Sequence, residues 1–69
     1  MSMDDPIIGK LGTVTHAIRP GRAGEIVVHI RGGTEVYMAV CDTEVPEDTQ
    51  VLVVGQRTAR TVEVMPFIG

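Results

Sequence analysis

Alternation with a period of two, cut into short runs by glycine and proline, limits this chain more than any other feature. From Ile7 onward the short runs rich in Val, Ile and Thr follow a period of two, and turn residues separate them. The clearest run is Glu25-Ile26-Val27-Val28-His29-Ile30-Arg31. Ile26, Val28 and Ile30 fall on one side; Glu25, His29 and Arg31 fall on the other. Successive side chains of a strand point to opposite faces, so the first set should face a core and the second water. The longest polar stretch, 43–49, contains Pro46 and few helix formers, so it has room for one helical turn at most.

Five strands are predicted, over 8–18, 25–31, 34–42, 50–57 and 59–67. The first is long and interrupted by Gly9 and Gly12, which suggests a bend or bulge where backbones approach closely. Arg19-Pro20-Gly21-Arg22-Ala23-Gly24 is a turn: Pro20 presets one dihedral and the glycines accept positive φ. Gly32-Gly33 marks a two-residue hairpin. In the third strand both faces are apolar, Val36/Met38/Val40 and Tyr37/Ala39/Cys41, and alternation does not choose between them. Val51, Val53, Val62 and Val64 are the inward residues expected of the last two strands. An open sheet this small would leave long pairing edges, so an all-β closed barrel is expected. The five-stranded Greek-key barrel called the OB-fold fits best, with an SH3-like barrel as runner-up. Residues 1–6 read as a flexible N-terminal tail and 7–69 as a single barrel domain.

Size and charge narrow the function. A chain of 69 residues buries only about 60% of its unfolded surface, so a partner or a second copy would add stability. Net charge is -3, from 6 basic and 9 acidic residues, which disfavours nucleic acid and anionic membrane as ligands. Cys41 is alone and cannot form an internal disulfide, which fits a reducing compartment. No run approaches the roughly 20 apolar residues of a membrane span, and the N-terminus has no signal-peptide pattern. A cytoplasmic location follows as the expectation, and the soluble part of a longer protein would read the same way.

The order of these pieces resembles a known family. Gly9-Lys-Leu-Gly12-Thr-Val-Thr, Arg19-Pro20-Gly21, Gly24-Glu-Ile, Gly33-Thr-Glu-Val-Tyr37-Met-Ala39, Val45-Pro46 before Val51-Leu-Val-Val, and Val62-Glu-Val64-Met-Pro66 together are similar to the C-terminal domain of NfeD-like membrane proteins. The resemblance spans nearly all of residues 8–66. It implies an OB-fold domain carried by transmembrane segments in the parent proteins, with partners of the stomatin/flotillin class. Where the family usually has a glycine before the fourth strand, this chain has a residue near Asp48, and Asp tolerates left-handed backbone better than most. The connection 19–24 is longer than usual.

Little in the sequence supports catalysis. The only serine, Ser2, lies in the tail, and Cys41 has the character of a buried strand cysteine. His16, His29 and Cys41 lack the paired short spacing of a zinc site, although the two histidines fall on adjacent strands. Asp42, Glu44, Glu47 and Asp48 do not match a calcium loop and read as a solvated acidic loop. The glycines beside Lys10 lack the helix that a phosphate loop needs. No cofactor or metal is expected. Arg19, Arg22, Arg57 and Arg60 flank the first and last turns and form a candidate basic rim. Single-strand binders add aromatic stacking platforms to such a rim, and Tyr37 and Phe67 are the only aromatics here. Leu52, Val54, Met65, Phe67 and Ile68 are apolar residues left outside the expected core. They form a candidate face for a protein partner or for self-association. A non-enzymatic interaction module is therefore the leading expectation, and an OB-fold single-strand binder is the alternative.

Overall fold

The computed structural model describes residues 7–68, and the tail expected over 1–6 lies outside them. Five strands form: β1 (Leu11–His16), β2 (Gly24–Ile30), β3 (Gly33–Val40), β4 (Gln50–Gln56) and β5 (Thr61–Pro66). They close into a barrel in the order β1-β2-β3-β5-β4. The β3–β5 contact is parallel and the other four are antiparallel. β1 is the shared strand, pairing with β2 on one side and β4 on the other. This is the OB-like order, and it decides against the SH3-like runner-up, which strand count alone could not do.

Several local expectations are corrected. β1 is shorter than 8–18, because Gly9 sits in a turn with φ +95 that Lys10 N–H closes onto the Ile7 carbonyl at 3.1 Å. The bend in β1 comes from a bulge between Val14 and His16 rather than from a glycine. Arg19-Pro20-Gly21-Arg22 is a tight turn in which Arg22 N–H donates to Arg19 C=O at 2.8 Å and Gly21 has φ +76. Proline followed by a positive-φ glycine is the type II pattern. The second hairpin loop is Arg31-Gly32, since Ile30 pairs with Gly33 and Gly33 already belongs to β3. β3 stops at Val40, and β5 starts at Thr61 because Arg57 and Thr58 N–H both close onto the Thr61 carbonyl.

The core holds Ile7, Val14, Ile18, Ile26, Val28, Ala39, Val45, Val51, Val53, Val62 and Val64, and no polar side chain is buried among the described residues. Burying side chains of this kind contributes about 1.5–3 kcal/mol each. Ile30, expected inside, is only half-buried at the barrel end. For β3 the structure makes the choice that alternation could not. Tyr37, Ala39 and Cys41 turn inward, while Val36 and Met38 face out. Ala39 is small enough to lie opposite Gly24, where the chain at 16–18 crosses closely. Val45, inside the polar loop, plugs the barrel end: Ile18 and Val45 exchange both backbone bonds, at 2.9 and 2.8 Å. Asp48 does take the left-handed conformation, φ 69, and donates its N–H to Val14 C=O at 2.8 Å.

Candidate interaction surface

The outer face of β1, β4 and β5 carries an apolar row. Register sets Leu11 opposite Leu52 and Leu52 opposite Met65, so three large apolar side chains share one line across three strands. Val54, at the β4 bulge, and Met65 are 45% and 49% exposed. Phe67 N–H donates to Gln50 C=O at 2.9 Å, which extends the β5 edge and holds Phe67 beside the row. Ile68 follows it, 95% exposed. Four of the five face residues read from the sequence thus lie on or next to one stripe, with Ile68 beyond its end. Sequence reasoning missed Leu11 because only barrel closure brings β1 against β4. Ile8, also exposed, precedes the Gly9 N–H that donates to Val53 C=O at 2.8 Å.

The arginines do not form one free rim. Arg19 Nε lies 3.6 Å from Glu44, Arg57 Nε 2.7 Å from Glu63, and Arg60 Nη1 3.1 Å from Glu35. All three pairs are solvent-exposed, so each adds at most about 1 kcal/mol, yet each spends a cation on an acid of the same chain. Arg22 has no ion pair among the described residues. It shares an open groove of about 780 Å³ with Arg57, Val54, Met65 and Cys41. The groove therefore joins one end of the apolar stripe to part of the basic rim. Within it Cys41 Sγ lies 3.4 Å from Thr43 Oγ1.

The two aromatics are split. Tyr37 packs on the core with the Arg60 guanidinium over its ring at 4.9 Å, whereas Phe67 is on the outer surface. The histidines are split as well. His16 lies opposite Glu25, with Nδ1 2.9 Å from its carboxylate, and His29 stands four residues further along β2, about 13 Å at strand rise. They are not neighbours, and the described residues contain no group of three or more metal-ligating side chains.

A closed five-stranded barrel with an apolar outer stripe and internally paired charges defines a small OB-like module. Residues 11–65 match the NfeD C-terminal domain, and the chain belongs to that family. The soluble domain of the NfeD protein YuaF from Bacillus subtilis superimposes with a TM-score of 0.75 at 32% identity, covering 87% of this chain and 73% of that one. The C-terminal domain of stomatin operon partner protein 1510-C from Pyrococcus horikoshii gives 0.69 at 26% identity, covering 91% of each chain. No curated protein matches the chain by sequence.

Proposed function

We propose that this domain is a non-enzymatic docking module that binds a stomatin/flotillin-class protein through the outer face of β4 and β5. The observation that carries the reading is the Leu11–Leu52–Met65 row with Val54 and Phe67 at its edges. A contiguous apolar stripe on so small a barrel is the mark of an interface. A solved relative that bears the name stomatin operon partner supports the choice of partner class. The domain works at the cytoplasmic face of a membrane, held there by its partner or by membrane segments of the kind its family carries. No helix among the described residues is long and apolar enough to cross a bilayer.

The test is capture of a stomatin-class protein, in detergent or in liposomes, by the domain and by a Leu52→Lys/Val54→Lys double variant. Val54 is exposed and Leu52 half-buried on the outer face, so the variant should stay folded and lose at least about tenfold in affinity, the worth of one small hot spot. Undiminished capture would remove this face from consideration. The single-strand alternative lacks a supporting observation, since its two aromatics are apart and three of its arginines are paired. Binding of an oligonucleotide below about 100 μM at low salt would revive it.

A further inference from the structure

The first half of β3 has a strand on one side only. β2 pairs with β3 from Gly33 to Ala39, but β5 joins it only at Met38, Ala39 and Val40. Residues 33–37 therefore have, among the described residues, an open edge. Its polarity follows from one bond: Met38 N–H donates to Arg60 C=O at 2.8 Å, away from β2. The β2–β3 ladder has no register shift, so Val36 and Thr34 turn their N–H and C=O the same way. Arg60 Nη2 donating to the Val36 carbonyl agrees with that direction. The Val36 carbonyl already accepts from Arg60 and keeps one lone pair, so the edge offers two donors, a free acceptor at Thr34 and a second at Val36 that is shared with Arg60.

We propose that this edge pairs with the same edge of a second copy, antiparallel, with the two-fold axis at Glu35. Three observations select this occupant. The open run 33–37 has Glu35 at its midpoint, so this axis uses every open residue and stops where β5 takes over. It sets Thr34 opposite Val36 of the second copy and makes four N–H to C=O bonds. It also brings two Glu35 carboxylates face to face, which would be unfavourable alone. Each carboxylate, however, arrives with its own Arg60 guanidinium 3.1 Å away, stacked over Tyr37. Two arginines and two glutamates then alternate across the axis, a complementarity that a second copy supplies automatically. On the outer face the pairing covers Val36, 45% exposed, against Thr34, with Met38 on the diagonal.

The contact is well under the roughly 800 Å² per partner of a standard interface, so it forms at high micromolar to millimolar concentration. It shares no residue with the Leu52–Met65 stripe, and either surface can fail without the other.

The experiment is residue-resolved amide exchange on the full chain at low concentration and on the order of 1 mM, beside sedimentation equilibrium. Exchange at Thr34 and Val36 should slow about threefold or more with concentration, as the dimer fraction rises. Glu35 and Tyr37, already bonded to β2, should not change. Thr34→Pro removes an edge donor without touching the β2 ladder and should abolish the effect. Should that variant fail to fold, Arg60→Ala leaves the two glutamates uncompensated and should weaken association by about fivefold or more. Exchange at Thr34 and Val36 that is independent of concentration overturns the proposal. So does association undiminished in Arg60→Ala.

Discussion

Gly24→Ala is the substitution for which this barrel has least room. The turn chemistry around Arg19–Gly24 reads Gly24 as a positive-φ residue, yet Gly24 has an ordinary φ and starts β2, buried against the segment that leaves β1. A Cβ placed there would lie 2.3 Å from His16 O, 2.6 Å from Ala17 O and 2.7 Å from Ile18 Cγ1. Two of the three obstacles are backbone, so no rotamer change relieves them. The crossing chain would have to retreat by about 1 Å, and it is tied down by the Thr15 bulge and by the paired Ile18–Val45 bonds. Overpacking a tight site costs about 1–3 kcal/mol, and this site belongs at or above the upper end. A domain of this size has about 3–10 kcal/mol to lose. At about 4–8 °C per kcal/mol the midpoint should fall by roughly 12–24 °C, or the variant should not fold. Thermal unfolding followed by circular dichroism measures it. Gly33→Ala is the control, because a Cβ there meets nothing within 4 Å and φ is not positive. A Gly24→Ala midpoint within about 3 °C of the parent, the span of an ordinary surface change, would refute the packing argument.

Two further predictions share that assay. Asp48→Gly should raise stability by up to about 1 kcal/mol by relieving φ 69, whereas Asp48→Val should lower it by about 1–2 kcal/mol, because a branched side chain resists the left-handed conformation; equal midpoints for the two would contradict this. At Gly55 an added Cβ meets Glu63 Oε1 at 2.7 Å, the end of a flexible side chain, so Gly55→Ala should cost under about 1 kcal/mol while disturbing the Arg57–Glu63 pair. A loss as large as that of Gly24→Ala would show that the backbone, not the carboxylate, is the obstacle.

Much of the barrel is legible in the residues because alternation is local. Ile26, Val28, Val62 and Val64 declare their face by parity with polar neighbours such as Glu25, His29, Thr61 and Glu63, Val51 and Val53 follow from the period of two alone, and all six are buried. Asp48 could be read as a left-handed residue from its place in the family pattern. The surface is less legible. Leu52 and Met65 stand out as apolar residues at outward positions, but Leu11 joins them only through the β1–β4 register. The arginines look like one rim in the sequence because each flanks a turn, whereas acids from distant segments, Glu35 and Glu44 among them, take up Arg60 and Arg19.

By itself the sequence determined that there are five strands, the turn at Pro20-Gly21 and the inward residues Ile26, Val28, Val51, Val53, Val62 and Val64, since these follow from period-two patterning and the allowed dihedrals of single residues. Tertiary structure alone decided which face of β3 turns inward, that β5 returns parallel to β3, and that Gly24 is a packing glycine. Each of those depends on which backbone lies against which. A chain with two apolar faces, or a glycine free to adopt any φ, carries no local signal of its neighbour.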